Sequence, residues 1–81
     1  MSNESVQTIT DVVLLVPGTL TKWLKQPGDK VENEEPLFEI RSYKSFSQIC
    51  SPSAGILAEI LIEEGRQVRI NTVVARIVSR S

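Results

Sequence analysis

Six consecutive residues, Arg41-Ser42-Tyr43-Lys44-Ser45-Phe46, gather the most reactive-looking groups of this 81-residue chain. A primary amine, two hydroxyls and a phenol lie side by side in a polar break between apolar runs. The amine of Lys44 is a nucleophile once it loses its proton, but a solvated lysine is protonated at neutral pH. No histidine occurs anywhere in the chain, which removes the commonest general base and the commonest imidazole metal ligand. No phosphate-binding loop and no nucleophile–base pair is visible, so an enzyme acting on its own is not expected. Cys50 is the single cysteine; it cannot close an internal disulfide, and in an expected strand it reads as an inert thiol. Glu32, Glu34, Glu35, Glu63 and Glu64 fall at expected turns and read as a solvated rim, since nothing in their spacing specifies a metal. Tyr43 and Phe46 offer an apolar contact to a partner, although one of them is expected to pack back onto its own hairpin.

The elements that hold this break in place come in two copies. Residues 18–40 and 55–77 align without a gap at an offset of 37 positions. Gly18 meets Gly55, Leu20 meets Leu57, Trp23 meets Ile60 and Leu24 meets Leu61. Gly28 then meets Gly65, Val31 meets Val68, Leu37 meets Val74 and Ile40 meets Ile77. Two glycines and six apolar positions in one ungapped register indicate an internal duplication. Trp23, opposite Ile60, is expected in or at the edge of the core.

Within each copy the strands are short and the turns well marked. The run Val12-Val13-Leu14-Leu15-Val16, inside residues 6–16 and ended by Pro17-Gly18, suits a buried strand. Residues 19–25, 30–32 and 37–40 follow as strands, then 48–50, 56–62, 68–70 and 73–78. Residues 56–64 carry Ala, Leu and Glu, but they are flanked by glycines, lack a capping box and align with a strand, so they too are read as extended. Gln26-Pro27-Gly28-Asp29 has the chemistry of a type II turn, with proline second and glycine third; Glu63-Glu64-Gly65-Arg66 turns at the equivalent place. Asn33 to Pro36 forms another turn. Many short strands with turns every eight to twelve residues indicate a small all-β sandwich or barrel.

Composition bounds the rest. The chain is one domain in length, with residues 1–5 expected to be disordered and residues 6–81 to fold together. A 41% apolar fraction is too high for disorder, and a formal charge of −1 supplies no field for nucleic acid or an anionic membrane. No signal-peptide pattern and no apolar run of membrane-spanning length is present, so a cytoplasmic setting, or an organelle matrix for a piece of a larger precursor, is expected. The offset also makes a geometric prediction. If a two-fold axis relates the copies, the counterparts of Lys44 are Gln7 and Ser81, so the break between the copies and the chain ends lie at opposite poles.

These residues resemble the biotinyl/lipoyl attachment domains. Gly18-Thr19-Leu20, Trp23-Leu24, Gly28-Asp29-Lys30-Val31 and Pro36-Leu37 match the family's first half. Lys44 is followed by Ile49, Pro52 and Gly55 at the family's spacing, and Gly55 to Ile60 with Glu64-Gly65 match the second half. The resemblance covers residues 12–78 and implies a flattened barrel-sandwich of two quasi-symmetric sheets with a modified lysine on an exposed hairpin. It implies covalent attachment at Lys44, with Ser42, Tyr43 and Ser45 read by a ligase and by partner enzymes. Ser42 and Ser45 suit the lipoyl pattern, while Tyr43 and Arg41 stand where acidic residues are common; the tight junction Val16-Pro17-Gly18 is similar to biotinyl domains. The implied function is a lipoyl carrier that shuttles acyl groups in a 2-oxo acid dehydrogenase-type complex, with lipoate on Lys44. The alternatives are a biotinyl carrier of a carboxylase or decarboxylase, with biotin there, and an unmodified interaction module. The implied partners are a lipoate or biotin protein ligase and dehydrogenase/acyltransferase or carboxylase subunits. No nucleic acid and no membrane partner is expected, and the domain alone is expected to be monomeric. Glu34 and Asn71 stand where the family often has glycine, so strain is expected at the first of these turns.

Overall fold

The computed structural model describes residues 7–80; the expected disorder of residues 1–5 lies outside these. Eight strands form: β1 (Gln7–Leu14), β2 (Gly18–Trp23), β3 (Lys30–Val31), β4 (Pro36–Arg41), β5 (Phe46–Cys50), β6 (Gly55–Ile60), β7 (Gln67–Val68) and β8 (Thr72–Arg80). They make two antiparallel four-stranded sheets, ordered β1-β8-β6-β3 and β5-β4-β2-β7. Among the described residues no helix forms, so none is long and apolar enough to cross a membrane.

The duplication is a two-fold exchange, and the hydrogen bonds show it pair by pair. Gly28 N donates to Leu57 O, and its counterpart Gly65 N donates to Leu20 O, both at 2.7 Å. Val31 pairs with Gly55 while Gly18 pairs with Val68, so each short strand completes the sheet of the other copy. The irregularities repeat as well. One bulge falls between Leu20 and Lys22 against β4, and its twin between Leu57 and Glu59 against β8. Such bulges bend a strand and increase its twist, which lets two small sheets curl around one core.

The turns follow the same rule. Asp29 N donates to Gln26 O with Gly28 at φ 95°, the type II geometry expected there. The equivalent turn has Gly65 at φ 88°, with Arg66 N donating to Glu63 O. Glu34 and Asn71 both sit at φ 68°, so the glutamate does occupy the left-handed region where a Cβ is costly. The hydrogen-bonded turn around Glu34 runs from Glu32 to Glu35, one residue earlier than expected.

The core is built from equivalent positions: Leu20 and Leu57, Val31 and Val68, Leu37 and Val74, Ile40 and Ile77 are all buried. Symmetry fails where volume is traded. Phe38 corresponds to Ala75 and Trp23 to Ile60, so the first copy contributes the two aromatic rings, 4.8 Å apart and tilted. Trp23 is half-buried against the core, as expected, and its Nε1 donates to Ile62 O of the other copy at 2.9 Å.

Several expected boundaries shift. The run at residues 12–16 is not buried throughout: β1 ends at Leu14, and Leu15 and Val16 are 71% and 49% exposed. Within β1 only alternate residues, Val12 and Leu14, are buried, as in a sheet with one wet face, and Leu15 and Val16 lie past its end, outside either sheet. Residues 24–25 and 61–62 leave their strands, and residues 68–70 keep only Val68 in one, because β2 begins at Gly18, the partner of Val68, and offers no residue beyond it. Tyr43 is 93% exposed and Phe46 55%, so Tyr43 stands free of the hairpin and neither ring is buried. Cys50 is in β5, as expected, but on its exposed side.

Candidate functional site

Strands β4 and β5 pair down to Arg41 and Phe46, leaving Ser42 to Ser45 to turn the chain. Ser42 N donates to Ser45 O at 2.9 Å, Ser45 N returns to Ser42 O at 3.4 Å, and the two hydroxyls are hydrogen-bonded to each other. Both serines are thereby engaged in closing the turn, and Tyr43 and Lys44 are left at its apex. Two-residue hairpins usually take primed turns with positive φ, yet neither Tyr43 nor Lys44 has positive φ. Side chains larger than glycine or asparagine therefore fit this apex without strain.

Lys44 is exposed and forms no ion pair among the described residues. Its Nζ lies 5.6 Å from the centroid of the Tyr43 ring, within range of a cation–π contact, and that ring is 93% exposed. Arg41, the last residue of β4, adds a second exposed cation to a hairpin end that carries no carboxylate between positions 41 and 46.

The tip points away from the ends of β1 and β8. Gly55, at the start of β6, lies beside Val31 and next to the Ile56–Val78 pair, near the outer end of β8. Following the chain from there, Ile62 meets Trp23, Gly65 meets Leu20, and Val68 pairs with Gly18. Gly18 adjoins Thr19, which pairs with Arg41 at the base of the tip. The second copy thus spans the molecule from the β1–β8 end to the tip, and Lys44 stands at the pole opposite Gln7 and Arg80. The offset of 37 foretold this arrangement.

An open groove of about 720 Å³ lies beside the tip, lined by Val16, Pro17, Gly18 and Thr19, by Arg41 to Lys44, and by Gln67. Its two-fold counterpart at the far pole is lined by Gln7, Gly55, Ile56, Val78 and Ser79, among others. Sequence reasoning did not single out Val16, Thr19 or Gln67 as neighbours of the tip. The signal was present in the repeat, because Gly18 facing Val68 brings both junctions to the same pole.

Two of the rim glutamates have structural work. Glu35 holds Lys25 at 2.9 Å and accepts from Glu32 N, and Glu64 accepts from Trp23 N at 2.8 Å. The Lys25 ammonium, then the Glu32 backbone N–H, hold the Glu35 carboxyl below its ordinary value, and Glu35 in turn raises Lys25. No group of acidic or sulfur side chains among the described residues is placed to hold a metal.

Comparison with known proteins agrees with this geometry. The acetyltransferase component of the pyruvate dehydrogenase complex of Corynebacterium glutamicum is 48% identical over 60 residues, 74% of this chain and 9% of that protein. The solution structure of the lipoyl domain of the 2-oxoglutarate dehydrogenase complex of Azotobacter vinelandii is similar with a TM-score of 0.65 at 27% identity, covering 78% of this chain and 80% of that one. Kluyveromyces lactis urea carboxylase matches with a TM-score of 0.81 over 95% of this chain and 7% of its own, but at 23% identity that likeness is one of fold alone. The biotin/lipoyl family model, described as biotin-requiring enzyme, matches residues 10–77. The chain therefore belongs to the biotin/lipoyl attachment family.

Proposed function

We propose that the chain is a swinging-arm carrier bearing a lipoyl group on Lys44, which passes acyl intermediates between active sites of a 2-oxo acid dehydrogenase-type complex. The observation that carries this reading is the placement of one exposed amine at the apex of the tip, at the pole opposite the ends of β1 and β8. The likeness to acyltransferase components, and to a lipoyl domain at 27% identity, supports lipoate over biotin. The residues present fit such a group: Lys44 is exposed and forms no ion pair among the described residues, and its turn is closed by Ser42 and Ser45.

Loading requires a ligase that presents the carboxyl as an adenylate. Lys44 Nζ gives up one proton to become the free amine, attacks the carboxyl carbon and releases a second proton as the amide bond forms, and adenylate leaves with the electron pair of the broken C–O bond. The product has lost the cation at residue 44. Ser42 and Ser45 act by fixing the turn, and Tyr43 by presenting a ring beside the amine, so that ligase and partner enzymes meet one rigid shape. The lipoyl group, when bound, supplies the disulfide that accepts electrons and acyl groups. The domain supplies reach, and tethering replaces diffusion between successive sites by a high effective concentration.

Intact mass after co-expression with a lipoate ligase, and separately with a biotin ligase, tests the reading. The expected result is one lipoyl group, mapped to the peptide containing Lys44 and absent from Lys44→Ala, whose circular dichroism matches wild type. Biotin loading instead gives the carboxylase-type carrier, and a chain modified by neither ligase removes carrier function.

A further inference from the structure

The groove beside the tip has Lys44 in its own wall, so a group carried on Nζ begins at the rim of an apolar surface. Val16 and Pro17 line the same groove, which is about 720 Å³, whereas the hollow within residues 41–46 on the hairpin itself is about 340 Å³. Val16 is 49% exposed and Tyr43 93%. Both side chains line the groove and present carbon to solvent, where a tethered apolar group can cover it. The Tyr43 ring faces the Lys44 ammonium at 5.6 Å. Amide formation abolishes that charge and with it the cation–π attraction, which leaves the ring face open to a neutral chain. The tether keeps the effective concentration high, so even a weak contact is populated.

We propose that this groove is a docking site for the arm itself: a short acyl chain ending in a cyclic disulfide, linked to Lys44, folds back against Val16 and Pro17 beside Tyr43, in exchange with its extended form. The proposal rests on the carrier reading above, and it assigns to Val16 a role that neither the core nor the turns require. Between visits to partner sites the ring is sheltered on its own domain.

The test is a comparison of ¹H–¹⁵N and methyl spectra of the domain before and after lipoylation by a lipoate ligase. The expected result is movement of Val16, Gly18, Thr19 and Gln67 resonances together with those of the tip, and nuclear Overhauser contacts from the arm's ring protons to the Val16 methyls. Val16→Asp removes the groove shifts and those contacts while Lys44 is still loaded. Leu15→Asp, the same change at a neighbour that is 71% exposed and not in the groove wall, preserves them. Shifts confined to residues 42–46, or groove shifts that persist in Val16→Asp, overturn the proposal. Absence of the lipoyl mass increment refutes the carrier reading and this one with it, and is read separately in the mass spectrum.

Discussion

Replacing Gly18 by alanine tests how closely β2 and β4 approach at the base of the tip. A Cβ there would stand 2.7 Å from Ile40 Cγ2 and 2.8 Å from Arg41 O, where ordinary contact begins near 3.4 Å. Something must therefore move by roughly 0.6 Å. Ile40 is 2% exposed and packed in the core, and the Arg41 carbonyl belongs to the backbone at the end of β4, so neither yields freely. Overpacking of this kind costs about 1–3 kcal/mol. For a domain of this size each kcal/mol lowers Tm by roughly 4–8 °C, so a fall of about 10 °C is expected. Trp23 is the only tryptophan and joins the two copies through Ile62, which makes its fluorescence a global reporter in a urea melt. Gly55→Ala should behave alike, since its Cβ would meet Val78 O at 2.5 Å. Gly28→Ala is the contrast: nothing lies within 4 Å of its Cβ, and the cost comes from φ 95° alone, about 1–2 kcal/mol. A Gly18→Ala melt within about 0.5 kcal/mol of wild type, the range of a neutral surface change, would refute the close-approach argument.

Two further outcomes follow from the turns and the ion pair. Glu34→Gly should stabilise by about 0.5–1 kcal/mol, the left-handed cost relieved less the entropy of glycine. Asn71→Gly at the same φ should gain less, because asparagine tolerates that region; urea midpoints giving the reverse order would contradict this. The Glu35 carboxyl is held below its ordinary value, so its contribution is fully present above the ordinary carboxylate range and is lost as pH falls through the folded value. Lys25, raised by Glu35, loses its contribution only at alkaline pH as its folded value is passed. The gap in urea midpoint between wild type and Glu35→Gln should accordingly be flat around neutrality and close in acid, and a gap unchanged in strong acid would rule this out.

Sequence and structure divide this protein along a clear line. The duplication, the paired turns at Gly28 and Gly65, and the exposed break at Lys44 were all legible, because turn chemistry and an ungapped apolar register are local properties of the chain. Once the copies are two-fold related, the polar placement of Lys44 follows from its offset. Tertiary structure decided which faces those strands show. Val16 and Leu15 look like core in a run of apolar residues, yet β1 ends at Leu14 and the bend before Gly18 leaves both outside the sheets, which sets Val16 in the groove beside the tip. Phe38 opposite Ala75, and Trp23 opposite Ile60, keep the apolar register of the repeat but not its volume, since a shared core fixes the total volume and leaves its division between the halves to packing. Tyr43 is exposed because it stands at the apex of a two-residue turn beyond the last strand pair, and Phe46 because it opens β5, the edge strand of its sheet.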